Sequence, residues 1–194
     1  DPILRTKLHR PPVTSDLVCR RRLHAQMDQG LRTPVTLVAA PAGYGKSVLA
    51  SLWLESHQGA KAWLTLDGDD SLPLFLRAFV AAVQSMFPAG CRQSQALVES
   101  DNPLVCEVAS RQLLNDLAEI EEHFILVLDD YHLIRDAAVH DLLGELLRFP
   151  PQALHLVVLT RRDPPLPVAR LLGQGQVHEV VMQQLRMSIE ETAV

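Results

Sequence analysis

An apolar run, Val35-Thr36-Leu37-Val38-Ala39, passes directly into Ala40-Pro41-Ala42-Gly43-Tyr44-Gly45-Lys46-Ser47, and from there into apolar positions Val48, Leu49, Leu52 and Trp53. This order reads as a buried strand, a glycine-bearing loop and a helix in immediate succession. Gly43 and Gly45 can take positive φ and let backbone N–H groups approach an anion closely, and a helix opening near Lys46 points the positive end of its dipole at the same place. The layout is that of a phosphate-binding P-loop, in which Lys46 reaches the β- and γ-phosphates and the Ser47 hydroxyl ligates Mg²⁺. Ala42, Gly43, Tyr44, Gly45, Lys46, Ser47 and Val48 are thus the candidate nucleotide-binding residues. The strict pattern G-x-x-x-x-G-K-[ST] asks for glycine where this chain has Ala40, the mildest replacement.

A second apolar run, Phe124-Ile125-Leu126-Val127-Leu128, ends in Asp129-Asp130, as a fully buried parallel strand does when it delivers carboxylates at its C-terminal edge. Ligands of open α/β sheets bind at that edge, so this tip and the P-loop are expected to meet at one crevice. There Asp129 would hold Mg²⁺, and Asp130 would orient or deprotonate an attacking water as the catalytic carboxylate. Many P-loop ATPases have glutamate at the second position, and the shorter aspartate points to slow hydrolysis.

With 194 residues, 47% of them hydrophobic, the chain suits one well-buried α/β domain over 1–194. A formal net charge of -5 and a sequence pI near 5.9 disfavour a surface built to neutralise nucleic-acid phosphates. No apolar run approaches the ~20 residues of a membrane span and the opening residues lack a basic then apolar pattern, so the expectation is a cytoplasmic location with no membrane contact. Cys19, Cys91 and Cys106 show no metal or disulfide spacing and read as free thiols.

Periodicity places a short helix over 16–27, a strand over 62–66 ending in a turn at 67–70, and helices over 72–87 and 104–120 with a polar loop over 89–103 between them. A helix over 137–149 is stopped by Pro150-Pro151, a buried strand follows over 154–159, and 176–182 reads as an edge strand. Ser188 and Glu191 form a capping box for a helix only just begun, so the chain reads as one domain of a longer multidomain protein. Strands alternating with helices imply a parallel sheet with right-handed crossovers. The acidic group Asp67, Asp69 and Asp70 is either a solvated turn or a second contact to Mg²⁺. Arg161 leaves the sheet on the strand placed between the P-loop strand and that of Asp129, where a guanidinium can contact the γ-phosphate; Arg162 is the competing residue.

Pro41-Ala42-Gly43-Tyr44-Gly45-Lys46 and Asp129-Asp130-Tyr131-His132-Leu133-Ile134 together resemble the nucleotide-binding domain of the MalT-type, LuxR-family ATP-dependent transcriptional regulators, members of the STAND class of P-loop NTPases. Lys7-Leu8 with Pro11, then Val18, Arg20 and Leu23, Leu66-Asp67 with Asp69, Asp163-Pro164-Pro165-Leu166, and Leu185-Arg186 before Glu190-Glu191 extend the likeness along the chain. The resemblance implies a three-layer α/β sandwich with strand order 5-1-4-3-2, binding of ATP or ADP with Mg²⁺, and self-association of the full-length protein in its ATP form. It also implies that DNA is contacted only through a C-terminal helix-turn-helix domain absent from this segment. Val18 and Arg20 would sit against the adenine, and Tyr131 and His132 would pack beneath the site. Two other readings remain, a small-molecule kinase or other free-standing P-loop ATPase, and a nucleotide-free interaction module. The lack of an acceptor lid with arginines weighs against the first, and retention of Lys46, Ser47, Asp129 and Asp130 against the second.

Overall fold

The computed structural model describes residues 4–13, 20–99 and 103–186, with the side chains of 103–107 outside that description. Five strands, β1 (Val35–Ala39), β2 (Ala60–Thr65), β3 (Phe124–Asp129), β4 (Leu154–Thr160) and β5 (Val177–Val181), pair in parallel in the order β2-β3-β4-β1-β5. Read from the other edge this is 5-1-4-3-2, the expected order, and β4 lies between the P-loop strand and the strand of Asp129 as expected. Position follows from composition: β3 and β4 are buried at every residue and occupy the interior of the sheet, whereas β2 and β5, only partly buried, lie at its edges.

Side chains alternate across the sheet and build two cores. Phe124, Leu126 and Leu128 join Leu154, Leu156 and Val158 on one face, covered by α3 (Leu72–Gln84), α5 (Pro103–Ala118), α6 (Ala137–Arg148) and Leu171 of α7 (Val168–Gly173). Ile125, Val127, Val157, Leu159 and Val38 face the other way, against Leu23 and Met27 of α1 (Arg21–Gly30), Trp53 and Leu54 of α2 (Lys46–Ser56), and Leu185 at the end of α8 (Met182–Leu185). The result is a three-layer sandwich.

The segment expected to be a polar loop over 89–103 contains α4 (Arg92–Val98), which is a correction. The helix is invisible to local periodicity because its stability is tertiary. The buried Asp116 of α5 accepts from both the Ser94 amide, 2.9 Å, and the Ser94 hydroxyl, 2.8 Å, and this fixes its first turn. Helix α1 begins at Arg21 within the described residues, and α3 ends three residues before the expected Phe87. Val18, Cys19 and the capping box at Ser188 and Glu191 lie outside the described residues, as does the Cys106 side chain. Cys91 is a buried free thiol, pushed up to about 12 by burial and by the charge of Asp116. No helix among the described residues is long and apolar enough to cross a membrane.

Under α1, Thr36 of β1 is fully buried and its hydroxyl meets His155 Nε2 at 3.1 Å, while His155 Nδ1 lies 2.8 Å from the Thr33 carbonyl. The last residue of α1 closes over this group as glycine, since a Cβ on Gly30 would stand 2.1 Å from Thr36 Oγ1.

Candidate nucleotide site

The carboxyl ends of β1, β3 and β4 converge on one crevice. Between β1 and α2 the chain turns through Gly43 at φ +84° and Gly45 at φ +72°, where a Cβ would meet nothing within 4 Å. Backbone conformation, not space, therefore requires glycine at these two positions. Ala40 is absent from the left-handed residues and its amide donates to the Thr160 carbonyl at 3.2 Å. With no positive φ, this position does not require glycine, and alanine is accommodated there. Ala42 is exposed, Tyr44 packs at the rim of the core shared by α1 and α2, and Val48 is exposed on the first turn of α2.

Lys46 is buried, and its ammonium donates to the carbonyls of Ala40, 2.7 Å, and Pro41, 3.0 Å. Burial and the neighbouring Arg161 charge pull its pKa below the usual lysine value, while Asp130 and Asp129 oppose them. One residue on, Ser47 Oγ donates to Asp129 Oδ1 at 3.0 Å, so the first turn of α2 and the tip of β3 are joined through a hydroxyl and a carboxylate. Burial raises the Asp129 pKa and the Asp130 charge adds to it, whereas the bonds from Ser47 and the Asp130 amide work the other way. Two hard oxygen donors beside a buried lysine are the donor set suited to Mg²⁺ with nucleotide phosphates.

Asp130 takes φ +57°, a left-handed conformation that aspartate tolerates better than most residues, and opens a short 3₁₀ turn, Tyr131–Leu133. The turn brings Arg161 Nη2 to 3.7 Å from Asp130 Oδ1. Arg162 instead donates to the His132 carbonyl at 3.0 Å, so of the two arginines Arg161 faces the carboxylates. His132 is the residue that periodicity undervalues. Its Nδ1 is buried without a hydrogen bond, 3.8 Å from Asp130 Oδ1, and burial lowers its pKa against the pull of Asp130. Only the left-handed turn at Asp130 places position 132 there. Tyr131 is buried below the site, its hydroxyl 2.5 Å from His140 Nδ1.

Of the two residues expected against the adenine, only Arg20 is among the described residues. Arg20 is buried at the start of α1, donating to the carbonyls of Leu185, 2.6 Å, and Arg186, 2.9 Å. Val18 falls outside the described residues. Asp67 and Asp70 both bind Lys7, at 2.7 and 2.6 Å. Asp70 is thus a buried partner of Lys7, while Asp69 stays exposed on the turn.

Comparison with known proteins agrees with this geometry. The AAA ATPase domain family matches residues 16–159. The chain is 34% identical over 190 residues to the HTH-type transcriptional regulator MalT of Yersinia enterocolitica, covering 97% of this chain and 21% of that protein, with the same figures for MalT of Klebsiella pneumoniae. It therefore spans about a fifth of the length of these relatives, and the resemblance read from two hexapeptides holds over nearly the whole chain. Among solved structures, Cdc6p from Pyrobaculum aerophilum superposes with a TM-score of 0.53 at 16% identity, over 86% of this chain and 47% of that one, which shows the shared fold. The chain belongs to the AAA ATPase domain family.

Proposed function

We propose that this domain is the ATP/ADP-binding switch of a signal-responsive transcription activator, with ATP hydrolysis that is slow or dependent on a partner. The observation that carries the reading is the bond from Ser47 Oγ to Asp129 Oδ1, 3.0 Å, beside the buried Lys46 and in the same crevice as the Asp130–Arg161 pair. Lys46 would exchange its two carbonyl contacts for the outer phosphates, and Ser47 and Asp129 would hold Mg²⁺, which when bound supplies charge neutralisation at those phosphates. Asp130 would orient the attacking water and take its proton, and the Arg161 guanidinium would pair with the terminal phosphate. Val18 and Arg20 are assigned to the adenine side by resemblance.

Support for a regulatory role comes from the relatives, which are named as HTH-type transcriptional regulators and are about five times as long as this chain. DNA contact is assigned to a separate helix-turn-helix segment, consistent with the net charge of -5 here, and self-association to the ATP form of the longer protein. A ligand acts on such a switch only through its differential affinity for two states. The decisive experiment releases the nucleotide that co-purifies with the protein by acid and separates it by anion exchange, followed by calorimetric titration with Mg-ATP and Mg-ADP. Bound adenine nucleotide with tight Mg-dependent binding supports the switch. Rapid phosphate release by the isolated chain points instead to a free-standing ATPase.

A further inference from the structure

The opening residues carry ties that the nucleotide chemistry leaves unused. Lys7, on the 3₁₀ turn Arg5–Leu8, bridges Asp67 and Asp70 in the loop after β2. The Asp70 side chain is 3% exposed and its second oxygen accepts from the Asp67 amide, 2.8 Å, so Lys7 is the cation that compensates a buried carboxylate across 63 residues of sequence. Leu8 packs at the border of the core. Further on, Arg10 donates to the Ser51 carbonyl, 3.1 Å, and pairs with Glu55, while the buried Ser51 hydroxyl donates to the Pro11 carbonyl at 2.6 Å.

These anchors fall on α2, which carries Lys46 and Ser47, and on the loop after β2, the strand paired with β3. Ser47, Ser51 and Glu55 are spaced i, i+4, i+8 on α2 and share one stripe. Its top residue bonds Asp129 and the two below it bond residues 10 and 11. The loop that receives Lys7 begins where the Leu66 amide donates to the carbonyl of Asp129 itself, 2.9 Å. One short segment thus grips the P-loop helix at one end and the neighbour of the Asp129 strand at the other.

We propose that residues 4–13 are a strap whose docking is coupled to nucleotide binding: the docked strap holds α2 against the tip of β3 in the arrangement that brings Ser47 to Asp129, and bound Mg-nucleotide in turn holds the strap down. The proposal rests on the nucleotide-switch reading above. Linkage makes the two effects equal, so the factor by which nucleotide stabilises the docked strap is the factor by which loss of the strap weakens nucleotide.

The test has two arms on the intact chain. In the first, amide hydrogen exchange of residues 4–13 is followed with and without saturating Mg-ADP, with α4 as the internal reference. The expected result is at least about fivefold slower exchange in the strap and none in α4. In the second, the double variant Lys7→Met with Arg10→Gln, checked for native circular dichroism, is titrated with Mg-ADP by calorimetry and is expected to bind at least about fivefold more weakly, with Lys7→Arg close to wild type. Strap exchange indifferent to Mg-ADP, or a folded double variant with wild-type affinity, overturns the strap while leaving the switch intact. Should the double variant not fold, the exchange arm on wild type decides. A wild-type chain that binds no Mg-ADP overturns both.

Discussion

Arg161 Nη2 lies 3.7 Å from Asp130 Oδ1, which joins the tips of β4 and β3 by a charge pair at the mouth of the P-loop. Sheet order produces the pairing, because β4 pairs with both β1 and β3 and its end overlooks Lys46 on one side and the two aspartates on the other. The left-handed turn at Asp130 completes it by turning the carboxylate toward β4 while placing His132 beside the same oxygen. Acid, cation and imidazole come from three different positions along the chain, and none of them is needed to close the hydrophobic core.

Replacing Lys46 with Ala is expected to weaken Mg-ATP binding at least tenfold, about 1.4 kcal/mol, through loss of the charge-assisted contact to the outer phosphates. Because Lys46 also donates to Ala40 and Pro41, the variant loses two ties that shape the loop. A calorimetric dissociation constant that does not change would remove Lys46 from the phosphate site.

Binding and turnover are expected to separate at the second aspartate. The isolated chain should hydrolyse ATP below about one turnover per minute, against the ~1–100 s⁻¹ of kinases. Asp130→Asn should lower that rate at least about tenfold further while leaving Mg-ATP affinity within a factor of about three, since Asp129 and Ser47 remain. His132→Ala, which removes the imidazole from beside Asp130 Oδ1 and leaves Arg161 there, should follow the same pattern. Single-turnover phosphate release is the measurement, and an Asp130→Asn variant as fast as wild type would show that the carboxylate takes no part in the reaction.

Much of this was legible in the sequence because the informative features were local. The P-loop and the Asp129 strand are contiguous segments whose composition states the element, and the apolar content of β3 and β4 places them inside the sheet. What stayed hidden depends on partners far apart in sequence. Asp67 and Asp70 read as either a solvated turn or a cation contact until Lys7, about 60 residues earlier, was seen between them. The polar stretch holding α4 was illegible for the same reason, as its anchor is Asp116 on another helix. Arg161 and Arg162 are adjacent and chemically identical, and only the backbone leaving β4 sends one to Asp130 and the other to the His132 carbonyl.

Gly30→Ala tests the seat of α1 on the sheet. Its Cβ would lie 2.1 Å from Thr36 Oγ1 and 3.3 Å from Thr36 Cβ, and relief requires the threonine hydroxyl to leave His155. Overpacking of this kind is expected to lower stability by about 1–3 kcal/mol, read as a shifted urea midpoint with unchanged slope. Thr36→Ala in the same chain should make the Gly30→Ala change less costly than it is alone, and strictly additive effects would show that the two sites do not touch.

The last expectation concerns acid. Burial drives the His155 pKa down from 6.5 to about 4, with His57 and His178 adding to the effect and the bond to the Thr33 carbonyl opposing it. The neutral ring uses both nitrogens, donating from Nδ1 to Thr33 and accepting from the Thr36 hydroxyl at Nε2. Because the folded pKa lies below the unfolded one, the unfolded chain binds more protons between about pH 6.5 and 4, so stability rises with pH across that window. It is fully present above 6.5 and is lost as pH falls toward 4, by about 3 kcal/mol at most. His155→Gln removes this titration while keeping polar atoms near Thr36 and Thr33. Urea denaturation at pH 7 and pH 4.5 should therefore show wild type losing about 2–3 kcal/mol more than His155→Gln. Parallel losses in the two proteins would mean that His155 keeps an ordinary pKa and that the pocket under α1 is open to water.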